Sequence, residues 1–76
     1  MPIYRIQLIN KDFQVSNEID QPDLEAALRA GLKGALAIGA EEICDGQPFF
    51  GAEVIIALDG DVLERRMIAV GASPLQ

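Results

Sequence analysis

Four acidic residues near the middle of the chain are the first candidates for chemistry. Glu41, Glu42 and Asp45 follow one another closely, and Glu53 comes shortly after them. Carboxylate oxygens are the ligands that Mg²⁺ and Ca²⁺ prefer, so Glu41, Glu42 and Asp45 are candidate metal ligands. Their spacing lacks the glycine and the final glutamate of an EF-hand loop. Two interpretations stay open, a divalent-cation or small-ligand site and an ordinary solvated loop, and we expect no bound cofactor.

The chain contains few residues that could act as a catalytic nucleophile or as a general base. Cys44 is the single cysteine and there is no histidine, so a Cys-His pair is impossible. Cys44 also follows the predicted helix, whose C-terminal end does not activate a thiol. We interpret it as a small packed hydrophobic residue. Because the sequence has no glycine-rich phosphate loop either, we predict that the protein is not an enzyme.

Two adjacent aromatic residues, Phe49 and Phe50, could contribute to binding. Successive residues of a strand point to opposite faces of a sheet, so one ring should close the end of a core and the other could cover the opposite face. Alternatively, both rings could line a ligand pocket. The same alternation separates Arg65 from Arg66, so these two residues do not form one basic patch.

Charge and length limit the classes of partner. The chain has 76 residues, with twelve acidic and six basic residues and a net charge of −6. Phosphate backbones would be repelled on average, so we expect no nucleic-acid partner. The apolar runs are too short to span a bilayer, and the first residues do not form a signal peptide. One unpaired cysteine fits a reducing compartment, so we expect a cytoplasmic protein without a membrane partner.

The stretch from Asp20 to Gly39 predicts one amphipathic helix. Asp20 is the expected N-cap, with Pro22 in the first turn. Continuing the helix would place Glu42 on its apolar face, so we expect Gly39 to be the left-handed C-cap. Gly31 predicts a close approach of the helix to a sheet. The apolar or small residues follow the helical repeat at Leu24, Ala27, Leu28, Gly31, Leu32, Ala35, Leu36 and Gly39.

The remaining sequence predicts two β-hairpins. Asp59-Gly60 is a strong signal for a two-residue hairpin loop. With that loop, Ile56 would face Leu63, and Glu53 would face Arg66 as an opposite-charge pair. The alternating apolar residues predict strands over Ile3–Ile9, Phe13 to about Ser16, Ala52–Leu58 and Val62–Val70.

These elements predict a single small α+β domain over residues 1–76, with 70–76 as a frayed tail. The order is ββαββ, with a four-stranded antiparallel sheet and one amphipathic helix packed on one face. Both faces of the strands carry apolar residues, so the face without the helix should bind a partner. We expect a homodimer through the sheet or its edge, and a small non-enzymatic protein–protein interaction or regulatory module. The candidate interface residues are Ile3, Ile9, Phe50, Ile55, Val62 and Ile68.

Four short motifs of the chain resemble those of a family of short, uncharacterised bacterial proteins. The family is mainly alphaproteobacterial and is a domain of unknown function. The motifs are Met1-Pro2-Ile3-Tyr4, Pro22-Asp23-Leu24-Glu25-Ala26-Ala27, Phe49-Phe50-Gly51-Ala52-Glu53 and Gly71-Ala72-Ser73-Pro74-Leu75. The resemblance implies a compact domain and carries no activity or site residue. The sequence is also faintly similar to small antitoxins. Those proteins have a third strand before the helix and a DNA-binding tail, neither of which is found in this sequence.

Overall fold

The computed structural model describes residues 2–75, which form four strands and one helix in the order ββαββ. The strands make one antiparallel sheet in the spatial order β2-β1-β3-β4, with the helix packed on one face. The predicted α+β class is therefore confirmed. The elements are β1 (Ile3–Ile9), β2 (Gln14–Asp20), α1 (Leu24–Cys44), β3 (Phe49–Leu58) and β4 (Asp61–Gly71).

The core lies between α1 and the two central strands. Alternate residues of β1 and β3 are buried there, among them Ile6, Val54 and Ile56. The buried residues of α1 are all alanine or glycine: Ala27, Gly31, Ala35 and Gly39. With no large side chain between them, the helix backbone comes close to the sheet.

Gly31 shows how close this approach is. A Cβ atom added to Gly31 would lie 3.0 Å from Cγ1 of Val54 and 3.2 Å from Cγ2 of Ile6. Such distances are tighter than ordinary van der Waals contact, so the sheet side chains occupy the space that an alanine methyl group would need. The predicted role of Gly31 is confirmed.

The helix begins three residues later than the sequence predicts. Asp23 is the N-cap, and its side chain accepts a hydrogen bond from the Ala26 backbone N–H at 2.8 Å. Asp20 lies instead at the end of β2, opposite Ile3, so its assignment as the N-cap was wrong. Pro22 precedes the cap rather than occupying the first turn.

The helix also ends later than predicted, at Cys44. The left-handed glycine beyond it is Gly46, with φ of 107°. The Gly46 N–H donates to the Ile43 carbonyl, and the Gln47 N–H donates to the Glu42 carbonyl, both at 3.1 Å. This pair of bonds is the Schellman arrangement. Gly39, the predicted cap, is buried in the helix interior.

β2 is longer than the predicted segment from Phe13 to Ser16. It pairs with β1 along its whole length, from Gln14 opposite Ile9 to Asp20 opposite Ile3. β4 also runs further than predicted, to Gly71, and the Ala72 N–H still donates to the Pro48 carbonyl at 3.0 Å. The predicted frayed tail therefore begins too early, and its last residue, Gln76, lies outside the described residues.

The turn between β3 and β4 has the predicted loop, but a β-bulge follows it. Asp59 and Gly60 have φ of 52° and 87°, the left-handed pair of a type I′ turn. Val62 lies opposite Ala57, whereas Glu64 lies opposite Ile56, so Leu63 is an extra residue. The predicted pairs Ile56–Leu63 and Glu53–Arg66 are wrong by one residue, because a bulge shifts every later partner.

Candidate functional site

The sheet face turned away from α1 is the candidate site, and we call it the open face. It is formed by every second residue of each strand, as the pairing registers require. β2 contributes a polar column along one edge. The residues are Gln14, Ser16, Glu18 and Asp20 from β2; Ile3, Arg5, Gln7 and Ile9 from β1; Phe49, Gly51, Glu53, Ile55 and Ala57 from β3; and Val62, Arg65, Met67 and Ala69 from β4.

Large apolar side chains on the open face are well exposed. The exposed fraction is 58% for Ile3, 65% for Phe49, 56% for Val62 and 74% for Met67. These four residues come from β1, β3 and β4, so the apolar part of the open face lies away from β2. Four of the predicted interface residues, Ile3, Ile9, Ile55 and Val62, lie on this face as expected.

Two predicted interface residues, Ile68 and Phe50, lie on the other face of the sheet. Ile68 is opposite Ala52 and packs against the core, because the bulge at Leu63 reverses the faces of all later residues of β4. Phe50 is 3% exposed and its ring stacks on Phe13, with centroids 6.4 Å apart. Placing these two residues on the open face was wrong.

Phe49 and Phe50 divide as predicted, one ring in the core and one on the open face. The Phe49 ring lies over Gly51, where an added Cβ would be 3.1 Å from the ring atom Cε2. The aromatic ring thus occupies the space above a glycine in the strand interior. It also leaves a large apolar surface facing solvent.

Charged residues cross the middle of the open face as pairs of opposite sign. Arg65 donates to Oε2 of Glu53 from Nη2 at 2.6 Å and from Nε at 3.0 Å. Arg5 lies opposite Glu18 on the neighbouring strand. The predicted partner of Glu53 was Arg66, which instead pairs with Glu64 on the side of the sheet that carries α1. The open face is therefore nearly neutral although the whole chain has a net charge of −6.

Two shallow depressions lie at opposite ends of the open face. The first has a volume of about 540 Å³ and is bordered by Ile9, Lys11, Phe49, Gly51, Met67 and Ala69, among others. The second has a volume of about 600 Å³ and includes Ile3, Arg5, Glu18, Ala57 and Val62.

The acidic residues after the helix are not gathered into a metal site. Within residues 2–75, no three Asp, Glu or Cys side chains come together in a way that would hold a metal ion. Glu41 and Glu42 lie on the last turns of α1, and Asp45 is its C-cap. Glu42 borders a polar depression of about 530 Å³ together with Lys11. Cys44 is exposed, so its interpretation as a packed residue was wrong.

Sequence reasoning missed Met67, Ala69 and Gly51 as parts of the candidate site. Met67 is the most exposed large apolar residue on the open face. Its position depends on the bulge at Leu63, because without it the alternation would place Met67 on the side of α1. In the sequence, the adjacent pair Phe49-Phe50 was the feature that indicated a binding surface at this end of the open face.

No family model, curated protein or solved structure matches the chain. The resemblance to a bacterial domain of unknown function therefore stays a prediction. The helix of the described part of the chain lacks an apolar stretch long enough to cross a membrane.

Proposed function

We propose that this protein is a small, non-enzymatic protein-interaction module that self-associates through its open face. The observation that carries the proposal is the exposure of Phe49, Val62 and Met67 on one face of the sheet. Exposed large apolar side chains on one face of a sheet are costly in water and are typical of a protein–protein contact. The small size of the core is a second reason, since short domains often gain stability from a partner.

The size and charge of the open face suit a second copy of the chain. Four strands at their usual spacing outline roughly 600 Å², before the relief of the side chains is counted. A standard interface covers about 800 Å² per partner. Two copies that each carry a net charge of −6 repel one another on average. The paired charges of Arg65 with Glu53 and of Arg5 opposite Glu18 leave the open face nearly neutral, so this repulsion is weak there.

Charged substitutions on the open face test the proposal. Val62→Asp and Met67→Asp place a carboxylate on apolar contact surface, so each should convert the dimer to a monomer. Both side chains are mostly exposed, so the fold should be retained and the far-UV circular dichroism unchanged. Light scattering after size exclusion, at two loading concentrations, measures the mass.

Leu36→Asp is the matched control. Leu36 is an apolar residue of α1 with 47% of its surface exposed, and it lies on the opposite side of the sheet from the open face. Its substitution should leave the mass at that of a dimer. A wild-type protein that is monomeric at high concentration, or a Leu36→Asp variant that dissociates as readily as Val62→Asp, would contradict the proposal.

A further inference from the structure

The outer edge of β2 presents backbone hydrogen-bonding groups to solvent. β2 is an edge strand, because the spatial order of the sheet is β2-β1-β3-β4. At the two ends of its ladder with β1, the Asn10 N–H donates to the Phe13 carbonyl at 2.9 Å and the Gln21 N–H donates to the Pro2 carbonyl at 3.2 Å. Hydrogen-bonded pairs alternate along an antiparallel ladder, so every second residue of β2 turns its N–H and C=O groups outward. These residues are Gln14, Ser16, Glu18 and Asp20.

The other edge of the sheet is less regular. β4 is interrupted by the bulge at Leu63, and its middle carries the adjacent Arg65 and Arg66. Bulges and charges on an edge strand disfavour pairing with another chain. β2 contains no bulge and no proline, and it pairs with β1 without a register shift. A regular edge strand of this kind can add a further strand.

We propose that β2 of one copy pairs with β2 of a second copy, antiparallel, about a two-fold axis that passes through the sheet at Asn17. The contact joins two four-stranded sheets into one continuous sheet. In this register all seven residues of β2 have a partner, and the outward groups of Gln14 and Ser16 meet those of Asp20 and Glu18. The inference goes beyond the proposed function, because the contact leaves the open face of both copies uncovered.

The apolar residues of β2 select this register. Val15 and Ile19 lie on the side of the sheet that carries α1, opposite Leu8 and Tyr4. The helix packs over β1, β3 and β4, and Val15 is left 42% exposed. With the axis at Asn17, Val15 of each copy lies opposite Ile19 of the other, so the two aliphatic side chains form a cross-strand pair on both sides of the axis.

The acidic residues of β2 select the same register. With the axis at Asn17, Glu18 lies opposite Ser16 and Asp20 lies opposite Gln14, so each carboxylate faces an uncharged side chain that can donate a hydrogen bond. An axis at Glu18 would place the two Glu18 side chains opposite each other. An axis one residue further along would place Glu18 opposite Asp20. Like charges directly opposite one another destabilise a ladder.

The neighbouring charges are compatible with the contact. The two Glu18 side chains lie diagonally across the axis, and Arg5 of the same copy lies opposite each of them on β1. Beyond the ends of the ladder, the turn that contains Lys11 and Asp12 comes beside Asp23 of the other copy. That turn brings one charge of each sign, and the position opposite Asp23 is that of Lys11.

The length of β2 limits the strength of the pairing. Seven residues extend over about 24 Å, and one strand covers less than the roughly 800 Å² per partner of a standard interface. We therefore expect a weak contact, with a dissociation constant of about 1 mM. It should form at higher concentration than the dimer through the open face.

Disulfide trapping tests the pairing. Cys44→Ser removes the single native thiol, and Asn17→Cys is introduced on that background. The two positions 17 would form a non-hydrogen-bonded pair with Cα atoms about 4.5 Å apart, within the range of a disulfide. Val15→Cys on the same background is the matched control. It lies on the same face of the same strand, but the two positions 15 would be about 14 Å apart along the ladder.

At millimolar protein with oxidised glutathione, the Asn17→Cys chain should give a disulfide-linked dimer at roughly fivefold or more the yield of the Val15→Cys chain. Adding Ser16→Pro to the Asn17→Cys chain removes an N–H that β1 does not use. The sheet should therefore keep its far-UV circular dichroism, and the yield should fall to that of the control.

A third variant separates this contact from the proposed function. Val62→Asp, added to the Asn17→Cys chain, disrupts the dimer through the open face and should leave the disulfide yield unchanged. Equal yields for Asn17→Cys and Val15→Cys, or a yield that Ser16→Pro does not lower in a folded protein, would overturn the pairing of β2 and leave the proposed function standing. A yield that Val62→Asp abolishes would overturn a contact that forms independently of the open face.

Discussion

Three glycines of α1 show that the effect of one residue type depends on what lies beside it. Gly31 and Gly39 are buried against the sheet, whereas Gly34 has no neighbouring atom within 4 Å of an added Cβ. At Gly39 the added Cβ would lie 2.8 Å from Cδ2 of Phe50 and 3.2 Å from Cγ2 of Val70. Gly34 therefore lowers the stability of the helix, and no packing contact explains its presence. At position 39, only glycine leaves enough room for the ring of Phe50.

We predict opposite effects for the two alanine substitutions. Gly34→Ala should raise the free energy of unfolding by about 0.5–1 kcal/mol, because alanine restricts the unfolded backbone and favours the helix. Gly39→Ala gains the same helix propensity, but the overpacking against Phe50 costs about 1–3 kcal/mol. Urea unfolding followed by circular dichroism measures both variants. Equal stabilisation by the two substitutions would show that the Phe50 ring moves aside freely.

At the scale of elements, the start of α1 gives a direct comparison between two aspartates. Asp23→Ala removes the side-chain acceptor of the Ala26 N–H and should lower the free energy of unfolding by about 1 kcal/mol. Asp20→Ala, at the residue that the sequence pattern identifies as the cap, should change it by less than about 0.5 kcal/mol, since Asp20 is exposed at the end of β2. Thermal unfolding of the two variants at one protein concentration checks this. A larger loss at Asp20 than at Asp23 would contradict the capping assignment.

The sequence predicts the existence and order of the elements because each follows from a local pattern. The 3.6-residue repeat around Leu28 and Leu32 predicts the helix, and Asp59-Gly60 predicts the second hairpin. The end of α1 was misplaced because Glu42 is exposed and borders the same open depression as Lys11, where a carboxylate carries no penalty. The face of Ile68 could not be predicted, because the bulge at Leu63 leaves no local signal in the sequence.

At the scale of the whole molecule, α1 and the sheet form an elongated body, with Cα extents of 49 × 21 × 16 Å. A layer this thin leaves half of the sheet surface in water unless a partner covers it. The sequence predicts that a second apolar face exists, from runs such as Val54–Leu58 that alternate across both sides of β3. It does not predict that Met67 lies on this face, because the face of Met67 depends on the register between β3 and β4.

Self-association through this face should couple stability to concentration. When folding and dimerisation are linked, each tenfold rise in protein concentration stabilises the dimer by about 1.4 kcal/mol. We therefore expect the urea midpoint of the wild-type protein to rise with concentration, and that of Val62→Asp to stay constant. Unfolding curves at micromolar and at a hundredfold higher concentration measure the difference. A midpoint that is independent of concentration in both proteins would contradict a dimer stabilised by the open face.

The position of β1 in the sheet has a consequence for how the chain folds. β1 and β3 are the central pair, and their ladder from Arg5–Ala57 to Ile9–Glu53 is what joins the N-terminal hairpin to the C-terminal one. Each hairpin closes through a short turn on the microsecond timescale, whereas the ladder between them closes a loop that contains all of α1. Closing that loop costs chain entropy before any of its contacts form. We therefore expect the docking of one preformed hairpin on the other, beneath a helix that is already present, to be the slow step of folding.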